Sequence, residues 1–219
     1  MLTQSYDITL CDYLKEHLRP GDIMLDVGAN VGYISAVAAS CVGPSGEVHG
    51  FEPLRECFAR LERLRELNPG LNLKFNNLAL GDGDGVVRIA FNPDGDSRNA
   101  TLVPGKDFAE TRDVELRRLD GYIKAVIASP ERIRLIKIDV EGFEYSVLRG
   151  LSGFLSETSL RPLIVCEVKP WEVSKLGATL DDFDNYMGSF GYKAYEITQD
   201  RTPVPMNRLT DMEILVFRA

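Results

Sequence analysis

Histidine is scarce in this chain, with His17 and His49 the two among 219 residues. Neither falls at the end of a predicted strand, where open α/β sheets bind their ligands, so a core or edge role suits both. Proton transfer is then left to carboxylates. No Gly-Lys-Ser/Thr sequence occurs, which excludes a phosphate-cradling loop. The four cysteines, Cys11, Cys41, Cys57 and Cys166, form no Cys-x-x-Cys pair. That argues against a dithiol or zinc site and for reduced, mostly buried thiols of a cytoplasmic protein. No apolar run approaches the ~18 residues of a membrane span, and no basic-then-apolar leader is present, so a soluble chain is expected. Basic residues number 25 against 33 acidic ones, a net charge of −8, and the acids are scattered. Nothing in that balance points to nucleic acid or an anionic membrane. Repeats, low-complexity tracts and linkers are also lacking, and the length suits one α/β domain over residues 1–219.

What is present is organised around Asp26-Val27-Gly28-Ala29-Asn30-Val31-Gly32-Tyr33, preceded by the apolar Ile23-Met24-Leu25. A short apolar run predicts a buried strand, and the glycines allow a sharp turn with close backbone approach. Ile34, Val37, Ala38 and Cys41 then recur at helical spacing. Strand, glycine turn and helix make half of a nucleotide-binding unit. A dinucleotide loop wants Gly-x-Gly-x-x-Gly, but here Ala29 holds the middle place. The turn also opens with Asp26, which would repel a phosphate and attract an ammonium. That favours S-adenosylmethionine as cofactor. Glu52 closes the next apolar run about 20 residues beyond Gly32, where an acidic residue meets ribose hydroxyls in nucleotide folds.

Asp7 can cap a first helix that stops at Pro20-Gly21, giving an N-terminal helical segment over 1–21. A second helix carries Phe58, Leu61, Leu64 and Leu67, and a third strand lies within Leu71 to Leu80. Strands alternating with helices demand a parallel sheet with right-handed crossovers. The rhythm breaks over 82–132, read as a small β insertion after the third strand, with a lid or binding loop at roughly 92–113. It resumes in Arg134 to Asp139 and Pro162 to Glu167, two strands that each end in a carboxylate, and closes with a strand pair at 192–197 and 213–217.

Four motifs occur in order: Asp-Val-Gly-Ala-Asn-Val-Gly at 26–32, Phe-Glu-Pro at 51–53, Ala-Leu-Gly-Asp at 79–82 and Lys-x-Asp-x-Glu-Gly-x-Glu at 137–144. In these the chain resembles the FkbM family of S-adenosylmethionine-dependent methyltransferases. The resemblance implies a Rossmann-like class I methyltransferase fold: a mostly parallel seven-stranded sheet with an antiparallel last strand and helices on both faces. It implies methyl transfer to oxygen on a small-molecule, sugar, glycolipid or polyketide acceptor. Carried over by position, Asp26, Gly28, Asn30 and Gly32 would surround the methionine end of the cofactor. Glu52 would meet the ribose, Asn77 and Ala79 the adenine, and Asp139 the reacting centre.

Methyl transfer is an in-line displacement, so orientation alone can supply ~7–11 kcal/mol. Asp139, Glu141 and Glu167 are the candidate groups for taking the acceptor's proton. Glu141 and Glu144 have a simpler role open to them, at the start of the helix that follows. Asp139 and Glu167 could hold a Mg²⁺, but two carboxylates without an evident third ligand favour a metal-free site. Trp171, the single tryptophan, follows Pro170 and should stand at the rim as an acceptor platform or pack beneath the next loop. Two other functions compete. An NAD(P)-dependent oxidoreductase is opposed by the missing glycine and the lack of a Tyr-x-x-x-Lys pair, and a non-catalytic S-adenosylmethionine-binding module would keep the same motifs.

Overall fold

The computed structural model describes residues 2–92, 110–198 and 202–219. Along the chain come α1 (Leu2–His17), β1 (Ile23–Val27), α2 (Tyr33–Val42), β2 (Glu47–Phe51), α3 (Arg55–Leu67), β3 (Leu73–Asn76), β4 (Ala79–Leu80), β5 (Gly85–Phe91) and β6 (Glu110–Arg117). There follow α4 (Leu119–Val126), β7 (Ile133–Ile138), α5 (Glu144–Arg149), α6 (Ser152–Glu157), β8 (Leu163–Val168), α7 (Pro170–Lys175), α8 (Leu180–Ser189), β9 (Lys193–Glu196) and β10 (Glu213–Arg218).

Seven of these strands form the main sheet in the order β3-β2-β1-β7-β8-β10-β9. The pairs from β3 to β8 are parallel, and β10, the last strand, runs antiparallel to both β8 and β9. The expected Rossmann-like class I methyltransferase sheet is therefore present. Because β2 lies on one side of β1 and β7 on the other, the order reverses between β1 and β7. Open sheets of this kind take their ligands in the crevice at the carboxyl ends beside such a reversal.

The alternation of side chains across each strand separates two cores. Ile23, Leu25 and Val27 of β1, Ile136 and Ile138 of β7 and Ile164 and Cys166 of β8 meet α4, α5, α6 and α8 on one face. Met24, Val48, Leu135, Val165 and Val216 meet α1 and α2 on the other. On that second face the apolar rows end in charge toward the carboxyl ends: Met24 gives way to Asp26, Leu135 to Lys137 and then Asp139, and Val165 to Glu167. Three neighbouring strands thus deliver ionisable groups to one end of one face.

Several elements depart from the sequence reading. Helix α1 begins at Leu2, so Asp7 lies inside it and does not cap it. Thr179 caps α8, with its Oγ1 accepting the Asp182 N–H while Asp182 accepts the Thr179 N–H. The stretch Leu71 to Leu80 is two strands: β3 stays in the main sheet, whereas β4 joins a second sheet of order β4-β6-β5. That sheet packs over α3 through Leu54, Cys57, Ala79, Ile89, Phe91 and Val114. Within the expected insertion, α4 sends Leu119, Tyr122 and Ile123 into the main core and so serves as the crossover helix to β7. Of the expected lid loop, residues 93–109 lie outside the described residues. Both histidines are where the sequence put them: His49 is buried between the Tyr122 hydroxyl at 2.8 Å and Glu47 at 3.0 Å, and His17 contacts the Tyr13 carbonyl.

Candidate functional site

At the carboxyl end of β1 the chain turns through left-handed conformations at Gly28 (φ 79°), Asn30 (φ 51°) and Gly32 (φ 87°). A β-carbon on Gly28 would lie 1.9 Å from the Asp139 carbonyl oxygen. The room that this glycine leaves is thus taken by the protein's own backbone after β7. At Gly32 a β-carbon would meet Leu61 and Leu64 of α3 at 2.7 and 2.6 Å. Ala29 turns inward to the α1–α2 core, so its place needs no glycine.

Four of the turn's N–H groups are satisfied internally. The Gly28 and Ala29 N–H groups both donate to the Phe51 carbonyl at 3.0 Å, and Gly32 donates to Ala29. Glu52 accepts the Asn30 N–H at 3.0 Å through one carboxylate oxygen and the Leu54 N–H at 2.9 Å through the other. Burial pushes the Glu52 carboxyl up to about 7, against those two N–H groups and Lys137. Asp26 is wholly buried beneath the turn, accepting the Ser35 hydroxyl at 2.5 Å. Its other oxygen lies 3.2 Å from the Lys137 ammonium as an ion pair without hydrogen-bond alignment. Asp26 therefore supports the loop from below and is not presented to a ligand's ammonium.

On the far side of the reversal, the turn after β7 has its own left-handed residue, Glu141 (φ 55°), next to Gly142 (φ 103°). Glu144 holds this turn, its buried carboxylate accepting the N–H groups of Val140 and Gly142 at 3.0 Å each. Burial raises Glu144 to about 7 despite those donors. The conformation brings Glu141 to Asp139 and Glu167, with one oxygen of each within 4.8 Å of the others. Glu141 is thus the third carboxylate that the sequence did not show beside Asp139 and Glu167, but the Lys169 ammonium stands 2.7 Å from Glu141 and 2.6 Å from Glu167 and supplies the positive charge there. Burial pulls Lys169 down, but Glu167 and Glu141 outweigh it and keep the ammonium charged. Glu167 moves up to about 7 through burial and then the repulsion of Asp139, with Lys169 opposing. Asp139 keeps 24% of its side chain exposed, 3.7 Å from Lys137.

Asp139, Glu141 and Glu167 thus converge, and Asp26, Gly28, Asn30, Gly32 and Glu52 form one compact turn beside them. Asn77 braces that turn, donating to the carbonyls of Glu52 at 2.8 Å and Pro53 at 3.0 Å. Ala79 instead faces the small core beneath the second sheet, because the chain has crossed from one sheet to the other by then. Trp171 is 43% exposed at the start of α7, which excludes the packed-residue reading. A cavity of about 370 Å³ opens beside α5, lined by Phe143, Tyr145, Arg149 and the 176–178 turn. None of the expected site residues lines it.

The sequence reading assigned no role to Lys137 or Lys169. Both could have been found from the strand pattern: Lys137 interrupts an apolar row, and Lys169 lies two residues beyond Glu167, the same-face spacing of a strand. The set fits an adenosyl sulfonium ligand better than a pyrophosphate, since Glu52 and Asp139 offer acceptors while the two lysines are turned toward carbonyls and carboxylates.

The chain is similar to known methyltransferases in sequence and in fold. The chain is 29% identical over 217 residues to methyltransferase sdnD of Sordaria araneosa, with 84% of this chain and 78% of that protein covered. It is 33% identical over 152 residues to the 31-O-demethyl-FK506 methyltransferase FkbM of Streptomyces tacrolimicus, covering 68% of this chain and 55% of that one. The crystal structure of methyltransferase FkbM from Methylobacillus flagellatus superposes with a TM-score of 0.58 at 18% identity, over 95% of this chain and half of its own. The profile of the Methyltransferase FkbM domain matches residues 26–194, so the chain belongs to the FkbM methyltransferase family.

Proposed function

We propose that this domain binds S-adenosylmethionine at the carboxyl ends of β1 and β2 and methylates a hydroxyl oxygen of a small-molecule or sugar- or lipid-linked acceptor. When bound, S-adenosylmethionine supplies an electrophilic methyl on a sulfonium and leaves as the neutral thioether. Asp139 carries the reading. It is the part-exposed carboxylate at the reversal point, its backbone packs against Gly28, and its N–H donates to the Val27 carbonyl at 3.1 Å. It therefore moves as one body with the cofactor turn. Asp139 accepts the acceptor's hydroxyl proton as the oxygen–methyl bond forms, while Glu52 offers its remaining lone pairs to ribose hydroxyls. Glu141 and Glu167, fixed by Lys169, orient the acceptor hydroxyl from the β8 side, and Trp171 offers a flat apolar face to a sugar ring or hydrocarbon.

The acceptor is read as a small molecule, not nucleic acid, because carboxylates dominate the rim. Cys11, Cys41, Cys57 and Cys166 are all free thiols, which suits the reducing cytoplasm. Among the described residues no helix is long and apolar enough to cross a membrane. Titration calorimetry with S-adenosylhomocysteine and NAD tests the cofactor: micromolar binding of the first and none of the second is expected, and the reverse would overturn the proposal. Transfer of labelled methyl from S-adenosylmethionine into a cell-extract product, retained with EDTA present, tests turnover and the metal-free site together.

A further inference from the structure

Lys137 is a buried ammonium in a row otherwise filled by aliphatic side chains, directly across the β1–β7 pairing from Asp26. Burying a lysine is costly, so the partners it keeps identify its task. A simple counter-ion would approach the carboxylate most closely. Here the shortest contact is a hydrogen bond donated to the Gly28 carbonyl at 2.7 Å, whereas Asp26 stands at 3.2 Å and Asp139 at 3.7 Å. A longer contact of 3.4 Å reaches the Val27 carbonyl. Gly28 is therefore held from below by Lys137 and from the β7 side by the Asp139 backbone, while Glu52 holds Asn30 two residues on. One buried cation and one buried carboxylate, from the carboxyl ends of the two strands flanking β1, fix the same turn.

We propose that Lys137 is the positioning residue of the cofactor turn, fixing the Gly28 carbonyl and with it the relation of the turn to Asp139, and not merely the counter-charge of Asp26. The proposal rests on the cofactor reading above. Three variants separate the two roles. Lys137→Met removes both the charge and the donor. Asp26→Asn removes the carboxylate charge alone, and the double variant removes the buried pair while still lacking the donor. S-adenosylhomocysteine affinity by calorimetry, thermal midpoint and amide exchange at residues 28–30 are measured for each.

If Lys137 positions the turn, Asp26→Asn, which keeps the Lys137 donor to the Gly28 carbonyl, weakens binding at least about tenfold less than Lys137→Met does. The double variant regains most of the thermal midpoint that Lys137→Met loses, because no uncompensated buried charge remains. It still binds at least about 30-fold more weakly, with fast exchange at Ala29 and Asn30 while the strands stay protected. Wild-type affinity and protection in the double variant would show Lys137 to be a counter-ion only and overturn the proposal, as would unchanged affinity in Lys137→Met. Should the wild-type chain bind no S-adenosylhomocysteine, the cofactor reading fails by itself. The exchange measurement then still decides the role of Lys137.

Discussion

The two sides of the β1–β7 reversal are built on opposite principles. On the β1 side, the N–H groups of Gly28, Ala29, Asn30 and Gly32 are committed within the protein, to Phe51, Glu52 and Ala29, and the turn's ionisable supports, Asp26 and Lys137, are buried. On the β7–β8 side, three carboxylates converge, two of them paired with the Lys169 ammonium, and Asp139 and Glu141 keep roughly a quarter of their side-chain surface exposed. The first is built like core, with geometry set by sterics, and the second is a set of charges whose pairing can be exchanged. On the proposed reading, an unvarying cofactor meets the rigid half and the acceptor meets the adjustable half.

The largest effect should come from breaking the rigid half. Gly28→Val puts a β-carbon 1.9 Å from the Asp139 carbonyl at a φ of 79°, where L side chains are strained. A loss of at least about 4 kcal/mol is expected, a fall of roughly 10 °C in thermal midpoint. By contrast Gly83→Ala, which meets nothing within 4 Å, should stay within about 0.5 kcal/mol. Equal midpoints for the two variants would show that the turn is not locked.

Asp139→Asn sharpens the difference by sparing the fold. Turnover should fall by about 10²- to 10⁴-fold with S-adenosylhomocysteine affinity changed by less than about threefold. Matching losses in both would move Asp139 from the reacting centre into the cofactor shell.

The buried carboxyls give a smaller, pH-dependent effect. Glu144 titrates near 7 when folded and near 4.3 when unfolded, so the folded state holds the extra proton between those values. Its contribution is present below about pH 4 and is lost as pH rises through about 7. Glu144→Gln keeps an acceptor for Val140 and Gly142 without that loss. Its stability relative to wild type should rise between pH 5 and 8, by on the order of 2–3 kcal/mol. Parallel pH–stability curves for the two proteins would contradict the burial argument.

The smallest effect is expected at the edge of the adjustable half. Trp171→Ala should change the thermal midpoint by less than about 1–2 °C, since an exposed side chain gives up little packing. Its indole fluorescence should respond to acceptor and not to S-adenosylhomocysteine. A response to the latter alone would place Trp171 over the cofactor.

How much of this was legible follows the same division. The strand, turn and helix around Gly28 and Gly32 were readable from spacing, because apolar periodicity and left-handed turns leave marks in sequence. The convergence of Asp139 and Glu167 was readable too, since each ends a strand of one sheet. What Gly28 accommodates was not, because its neighbour Asp139 is over a hundred residues away and acts through backbone. The same holds for Asp26, whose burial depends on Ser35 and Lys137. Ala79 was misjudged because an apolar run gives no sign of changing sheets midway. Helix α4 escaped notice because it is eight residues long and contains Gly121, a poor helix former. Glu141 was underrated because a left-handed non-glycine residue has no sequence signature.

The second sheet is tied off at its base. Strand β4 runs alongside the end of β6, and the Gly81 N–H donates to the Arg117 carbonyl at 3.0 Å, so the chain departs and returns through neighbouring residues. Below that knot, a β-carbon on Gly150 would lie 2.0 Å from the Gly81 carbonyl, and Ser146 donates to Asp82, which pins the base to α5. Strands β5 and β6 therefore enter and leave the fold at neighbouring residues, and the crevice between β1 and β7 does not depend on their register.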